Sequence, residues 1–427
     1  MNKGGGVFMG LKGNALIIQS GGPTAVINQS LAGIMTASRD YAKIQNVYGA
    51  YHGLHGLLHE NFLNLSLEKA SIWNEIAVSP GAALGSARMK PKASDLERIF
   101  KIFTSHNIKF VFYNGGNDSA EAAELIREEA NRLNYDVQIL HVPKTIDNDL
   151  LETDHCPGFG SVAKVVSHIV AGDDLDNRSF YNSIKINVVM GRHAGWIAAS
   201  TALAKKGHID VEDHDEVGPH LIYLPEVDFS ETKFLDDVQR TYDRIGRATI
   251  TVAEGIADKI NHNKFAGEVD EFGNALLSGS GKLGDYLCNL IHDNLKFKSQ
   301  FGKLRCRADT LGYLQRSLVG MASSVDQHEA FMLGSMAVHY MMKGESDKML
   351  TLVREKGSEY KCNVSLCDLK LVAQKTKLMP RSMINKEGNG VTSEFYDYAM
   401  PLVGTFPEIR ALKTPHVGKM VDAYVRD

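Results

Sequence analysis

The run Pro143-Lys144-Thr145-Ile146-Asp147-Asn148-Asp149 sets a lysine and two carboxylates on what reads as a loop directly after an apolar strand, Val137 to Val142. Grouped charges at such a place are unfavourable unless chemistry uses them. Pro143 is expected to end the hydrogen bonding of the strand, while Thr, Asp and Asn favour a turn. Ligands of open α/β sheets bind at such strand ends.

Two further junctions repeat the plan. Phe110 to Tyr113 runs into Asn114-Gly115-Gly116-Asn117-Asp118-Ser119 and then into the helical stretch Ala120 to Ile126. Near the N-terminus, Ala15 to Ile18 leads through Gln19-Ser20-Gly21-Gly22-Pro23-Thr24 to the helix pattern Val26, Ile27, Leu31, Ile34, Met35. Glycines let the backbone approach a ligand, and the helix N-terminus behind them offers free N–H groups to an anion. Two such junctions beside a Lys/Asp loop point to a phosphate-handling site.

Other strand ends also carry polar groups. The apolar run Ile184 to Val189 leads to Met190-Gly191-Arg192, Thr249 to Ala253 ends in Glu254-Gly255, and Leu311-Gly312-Tyr313-Leu314-Gln315-Arg316 brings another arginine. A guanidinium suits phosphate because its planar fork donates bidentate hydrogen bonds. Taken singly, Gly21-Gly22 reads equally well as a tight turn without a ligand, and each arginine as a solvated surface charge.

Their joint order decides. SGGPTAVIN, LGSAR, GGND, PKTIDND, MGR, AEG and LGYLQR follow one another here, and in that order the chain resembles the phosphofructokinases. The resemblance is closest to the shorter diphosphate-dependent members and spans Asn14 to about Lys343. It implies two doubly wound α/β lobes with mainly parallel sheets.

The resemblance also implies roles. Asp147 matches the general base that takes the proton of the sugar 1-hydroxyl. Thr145 and Ile146 share its substrate-contacting loop. Asp149 matches a carboxylate that orients Mg²⁺ or its waters. Met190, Gly191 and Arg192 match a substrate-binding segment, Glu254 a carboxylate for sugar hydroxyls, and Tyr313, Leu314, Gln315 and Arg316 the segment for the 6-phosphate. Gly22, Arg88 and the Gly116 to Ser119 loop would cradle diphosphate. Arg307 stands where related enzymes send an arginine into the sugar-phosphate site of a neighbouring subunit, so a homodimer or homotetramer with sites near its interface is expected.

Two positions bear on the phosphoryl donor. Nucleotide-dependent relatives have glycine where this chain has Asp118 and Lys144. A carboxylate about 4 Å from an α-phosphate would be repelled by ~4 kcal/mol at an effective dielectric near 20, which is about three orders of magnitude in affinity. Lys144 would supply positive charge beside the moving phosphoryl group, making it catalytic together with Asp147 and Asp118. The expected reaction is therefore reversible transfer from diphosphate to fructose 6-phosphate. An ATP-dependent sugar-phosphate kinase and a non-catalytic regulatory subunit are the alternatives. Sedoheptulose 7-phosphate shares the phosphate and ketose ends of fructose 6-phosphate and stands beside it as an acceptor.

The chain departs from the family pattern in three places. Asn117 replaces an aspartate usual for magnesium, and an amide oxygen is a weaker, uncharged ligand. The place of a second subunit-crossing arginine falls near Ser183, with Lys185 the nearest basic residue. Positions of effector-binding arginines in regulated nucleotide enzymes correspond to Ala32 and Thr36, which implies no allosteric control of that kind.

Several other patterns lead nowhere. Gly279-Ser280-Gly281-Lys282-Leu283 lacks the spacing and the hydroxyl of a P-loop and reads as a flexible loop. His52, His55 and His59 could be drawn as a metal cluster, but Gly53 and Gly56 argue against a regular helix there.

At 427 residues and 44% hydrophobic, the chain can bury two substantial cores. A net charge of −4 gives no basic surplus for nucleic acid. Five cysteines without a CxxC pair fit free thiols in a reducing cytoplasm. No uncharged apolar run reaches the ~18 residues of a membrane span, and the N-terminal Gly4-Gly5-Gly6 stretch is too weakly apolar for a signal peptide. The expected domains are a donor lobe over 14–156 plus roughly 315–355, a sugar-phosphate lobe over 157–314 plus part of the C-terminal region, and a C-terminal extension over 379–427. The stretch Asn261 to Gly284 reads as a loop or insertion.

Overall fold

The computed structural model describes residues 10–209, 214–265, 280–295, 303–357, 359–373, 375–412, 417–418 and 420. The strands are β1 Gly13–Gln19, β2 Ile44–Ala50, β3 Phe62–Asn64, β4 Ile108–Gly115, β5 Gln138–Pro143, β6 Ser183–Val189, β7 Leu221–Tyr223, β8 Arg247–Ala253, β9 Arg305–Thr310, β10 Lys348–Arg354 and β11 Cys362–Asp368. They form two sheets, a seven-stranded one in the order β11-β10-β5-β4-β1-β2-β3 and a four-stranded one in the order β7-β8-β6-β9.

The inner strands β1, β2, β4, β5 and β10 pair in parallel, and only β3 and β11 at the edges run antiparallel. All pairs in the smaller sheet are parallel. Both are α/β sheets with helices packed against them, as the apolar runs of β1, β4 and β5 require. This is the expected fold class.

One face of the larger sheet is covered by the helices Ile27–Ser38 and Ser324–Met342, which bury Leu31, Ile34, Leu333 and Met341. These two helices touch backbone to backbone. A Cβ on Gly33 would lie 2.2 Å from the Phe331 carbonyl oxygen, and one on Gly334 would lie 2.0 Å from that of Ser30. The opposite face packs Ile99 and Phe103 of Ala93–Ser105 and Ala122 and Ile126 of Asn117–Leu133. The smaller sheet buries Ile184, Ile186 and Ile250 under the helices Glu231–Ile245 and Lys282–Asn294.

The chain differs locally from what its sequence suggests. Pro143 does not end the pairing of β5, because the Lys144 N–H still donates to the Gly115 carbonyl at 2.9 Å. The helix after β4 begins at Asn117 rather than at Ala120, which places Asn117 and Asp118 in its first turn. Gly53–Leu58 is helical despite its two glycines, since His52 adopts a left-handed conformation and turns the chain into it. Among the described residues no group of three or more His, Cys, Asp or Glu could hold a metal ion.

Residues 266–279 of the expected loop lie outside the described residues. Around them, Ile256–Phe265 is helical, and Lys282 and Leu283 open the helix Lys282–Asn294, with Leu283 buried. In the C-terminal region, Met379, Met383, Phe395 and Leu402 pack with Phe159, Val162 and Trp196 in one core. All five cysteines are free thiols. Among the described residues no helix is long and apolar enough to cross a membrane.

Candidate functional site

Three parallel strands, β1, β4 and β5, end side by side and deliver three loops to one place. The Ser20 N–H donates to the Asn114 carbonyl at 2.9 Å, so the first and second loops leave in register. The cleft between them has a volume of about 200 Å³ and is lined by Ser20, Gly21, Gly22, Gly116 and Ser119, by Arg88 and Met89, by Asn117 and Asp118, and by Lys144, Thr145, Asp147 and Asp149. Pockets for drug-sized ligands run to roughly 300–1,000 Å³, so this one suits a compact ligand.

Its cationic side is built from Lys144, Arg88 and Arg316. Lys144 is buried, and its ammonium donates to the Gly22 carbonyl at 2.7 Å. A Cβ on Gly22 would lie 2.7 Å from Arg316 Nη1, closer than such contacts allow, and 3.6 Å from Arg88 Nη2, an ordinary contact, so glycine makes room for the Arg316 guanidinium. Burial lowers the Lys144 pKa to about 7, and the charges of Arg316 and Arg88 push it the same way. Arg316 is also lowered, first by burial and then by Arg88. Crowded cations of this kind are relieved by an anion. The helix Asn117–Leu133 points its N-terminus at the same space.

Carboxylates form the other side. Burial raises the Asp147 pKa to about 7, with Asp149 and Glu254 adding repulsion. Asp149 is raised as well, chiefly by burial, against hydrogen bonds from Thr145 and Asn117. The Asp147 N–H donates to Thr145 Oγ1 at 3.1 Å, which fixes the turn. A carboxyl poised near neutrality beside a cationic wall is equipped to take up a proton.

Asn117 donates its amide N–H to Asp149 Oδ2 at 3.0 Å, while its Oδ1 is buried without a partner among the described residues. That orphaned oxygen and the Asp149 carboxylate are hard ligands of the type a small divalent cation takes. Such a cation would draw its remaining ligands from water and from the anion.

Asp118 lines the mouth of the cleft, with its side chain 57% exposed and 3.0 Å from Lys90 Nζ. Lys90 also pairs with Glu121 at 2.7 Å. This corrects the simple picture of an unshielded carboxylate facing a nucleotide. Exposure and the Lys90 partner bring the electrostatic effect of Asp118 towards the ~0–1 kcal/mol of surface pairs.

The remaining expected residues divide. Glu254 is buried at the end of β8, with its N–H on the Val189 carbonyl at 2.9 Å, and the Gly255 N–H reaches the Gly191 carbonyl at 3.3 Å. Arg192 pairs with Asp258 at 3.2 Å. Ile146 is buried in a core with Phe159 and Trp196, so its side chain cannot face a substrate. Gln315 is buried too, and its amide joins the Met190 N–H at 3.2 Å to the Gly312 carbonyl at 2.8 Å. Gln315 therefore ties two loops together and has its polar groups engaged. Tyr313 and Leu314 are exposed. Arg307 is exposed on the edge strand β9 and does not line the cleft.

Sequence reasoning missed several neighbours. Met89 and Lys90 follow Arg88 directly and could have been included with it. Lys377 and Tyr398 reach the Asp147–Asp149 turn from the far end of the chain, and no local pattern announces them.

Known proteins resemble this chain along most of its length. The chain is 43% identical over 417 residues to the pyrophosphate–fructose 6-phosphate 1-phosphotransferase of Rhodospirillum rubrum, covering 96% of this chain and 99% of that one. It is 35% identical over 402 residues to the enzyme of the same name from Halomonas elongata, covering 91% of each. The crystal structure of the pyrophosphate-dependent phosphofructokinase from Marinobacter aquaeolei superposes with a TM-score of 0.78 at 33% identity, covering 96% of this chain and 98% of that one. The profile described as Phosphofructokinase matches residues 14–341, and the chain belongs to the phosphofructokinase family.

Proposed function

We infer that this protein transfers a phosphoryl group from diphosphate to the 1-hydroxyl of fructose 6-phosphate, giving fructose 1,6-bisphosphate and orthophosphate. The observation that carries the donor is the compact cleft in which Lys144, Arg88 and Arg316 crowd around Gly22 while Asp118 stands at the mouth. Diphosphate has charge enough for three cations and no nucleoside arm to place. The reaction exchanges one phosphoanhydride for one ester and orthophosphate, so it is readily reversible.

In the forward direction Asp147 takes the proton of the sugar hydroxyl as that oxygen attacks phosphorus. The P–O bond to the departing phosphate breaks, and Lys144 and the helix N-terminus at Gly116 to Ser119 stabilise the charge that collects there. In reverse, Asp147 returns the proton. Asn117 Oδ1 and Asp149 would hold Mg²⁺ directly or through water, and the ion would neutralise donor oxygens when bound. Glu254 and the Met190 to Arg192 loop are assigned to the sugar and Tyr313 to Gln315 to its phosphate, while Arg316, expected there as well, is assigned to the donor because its guanidinium lies over Gly22.

We assign the donor lobe to 14–156 plus roughly 315–355, and the sugar-phosphate lobe to 157–314 plus part of the C-terminal region, with 379–427 as an extension. The exposure of Arg307 on an edge strand supports its reaching a neighbouring subunit in a homodimer or homotetramer. Ala32 is buried and Thr36 exposed on that helix, and neither brings a charge for an anionic effector. Free thiols fit a cytoplasmic location.

The test is the initial rate with fructose 6-phosphate and Mg²⁺, with diphosphate or ATP as donor, for the unmodified protein and Asp118→Gly. Activity with diphosphate and little with ATP is expected, with some ATP use gained in the variant. ATP use by the unmodified protein would overturn the donor assignment, and inactivity with both donors would favour a regulatory subunit.

A further inference from the structure

The turn that carries Asp147 and Asp149 is not held by its own lobe alone. Asn148, between the two carboxylates, has a left-handed backbone with φ of 55° and is fully buried. A left-handed non-glycine residue is costly and persists only where its surroundings hold it. Its side chain shows what does so. The Asn148 amide donates to the Tyr398 hydroxyl at 2.7 Å, and its Oδ1 accepts from the Cys156 N–H at 3.0 Å and from Lys377 Nζ at 3.5 Å.

Lys377 lies 228 residues after Asp149 in the chain, and its N–H and ammonium both bond the loop that runs from this turn to Asp154. Besides Asn148 Oδ1, its ammonium donates to the carbonyls of Thr153 at 3.1 Å and Asp154 at 2.9 Å. Its own N–H donates to the Asp149 carbonyl at 2.7 Å. Its carbonyl accepts from Trp196 Nε1 at 3.1 Å, and the Trp196 ring lies 5.3 Å from the ammonium. The Tyr398 hydroxyl closes the ring of contacts by donating to the Asp154 carbonyl at 2.8 Å. A half-buried lysine whose ammonium has three oxygen partners on one loop is an anchor for that loop.

We propose that Lys377, with Tyr398 beside it, is a positioning residue for phosphoryl transfer: it fixes the backbone of the Asp147–Asp149 turn so that both carboxylates stand at their working distance from the donor cleft. Lys377 itself does not line that cleft. Its effect passes through Asn148 and the Asp149 carbonyl. The inference rests on the roles given above to Asp147 and Asp149. It assigns to the C-terminal segment a part in the chemistry as well as in packing.

The test compares steady-state kinetics of the full chain carrying Lys377→Met, Tyr398→Phe or Asp147→Asn, with diphosphate, fructose 6-phosphate and saturating Mg²⁺. Because an error of about 1 Å in placement can cost on the order of 100-fold, Lys377→Met is expected to lose about that much in kcat. Both KM values should stay within about threefold, since the groups that bind substrate are untouched. Tyr398→Phe, which removes only a hydroxyl, should lose about tenfold in kcat. A folded Lys377→Met with kcat unchanged, or with the loss confined to KM, would overturn the proposal. Should Lys377→Met fail to fold, Tyr398→Phe decides, and an unaltered kcat there overturns it equally. Asp147→Asn separates the two levels. Substantial activity in that variant would remove the underlying site assignment, whereas an inactive Asp147→Asn beside a fully active Lys377→Met would remove only the positioning role.

Discussion

Lys144 and Gly22, 122 residues apart, are joined by a 2.7 Å hydrogen bond from the ammonium to the glycine carbonyl. The bond spans the ends of β5 and β1, strands that do not neighbour each other in the sheet because β4 runs between them. It therefore bridges the cleft behind the β4 loop and keeps the ammonium directed at the space where the donor must sit. The carbonyl is neutral, and the neighbouring guanidiniums disfavour the charge on Lys144. On the proposed function, an arriving diphosphate would add to the anionic charge that Asp147 and Asp149 already place near it.

Lys144→Met is expected to lower kcat with diphosphate by about 10²–10³-fold, the range seen when one preorganised donor to a transition-state charge is removed. Its charge must be present, and its pKa in the free enzyme is about 7. The value of kcat/KM for diphosphate should therefore fall as pH rises above about 7. Lys144→Arg should carry that limb to higher pH, because a guanidinium stays protonated. An unchanged alkaline limb in the arginine variant would show that another group sets it.

Asp147 sets the opposite limb. Its pKa of about 7 means that kcat/KM for fructose 6-phosphate should fall as pH drops below about 7, since the base must be ionised. The Lys144 charge pulls that value down, so Lys144→Met should move the acid limb upward. A downward move would contradict the pairing of these two groups.

Gly22→Ala tests the arginine side. The added Cβ would meet the mobile end of Arg316 at 2.7 Å, and a side-chain terminus can swing away where backbone could not. The fold should survive with little change in thermal midpoint, while kcat/KM falls by about 10-fold or more as the guanidinium leaves the donor, a loss of the size of one charged hydrogen bond. Undiminished kcat/KM would place Arg316 outside the reaction.

Much of this site could be read from the chain because it is local. Lys144, Asp147 and Asp149 share one loop, and Gly116 to Ser119 share another, so spacing and residue type were enough to group them. Parallel β1, β4 and β5 then bring the loops together. What the sequence hid is long-range. Lys377 meets Asn148 across 229 residues, and Asp118 gains a counter-ion, Lys90, that changes its electrostatic weight. Burial of Ile146 and Gln315 was hidden for the same reason, since motif order does not reveal which way a side chain points.

Lys90→Ala should separate shielding from catalysis. The pair with Asp118 is partly exposed, so its loss should cost at most ~1 kcal/mol of stability. With Asp118 no longer shielded, KM for diphosphate should rise by up to about fivefold, the same ~1 kcal/mol expressed as affinity, while kcat holds. The rise should shrink at high salt, where exposed charges are screened. A large fall in kcat would mean that Lys90 reaches the transferring phosphoryl group itself.

Asn117 offers the sharpest test of the proposed metal site, because its two amide atoms have different fates. Nδ2 is engaged by Asp149, whereas Oδ1 is buried and unsatisfied among the described residues. If a divalent cation is the missing partner, Asn117→Leu, similar in size but without the oxygen, should weaken Mn²⁺ binding measured by electron paramagnetic resonance in the presence of diphosphate. Asn117→Asp should do the reverse. It replaces a neutral ligand by a charged one, and ligand charge tunes cation affinity over orders of magnitude. The same aspartate loses the N–H that now reaches Asp149 and sets a like charge beside it, so without metal its thermal midpoint should fall and metal should restore more of it than in the unmodified protein. Identical Mn²⁺ affinity in all three proteins would remove Asn117 from the proposed metal site.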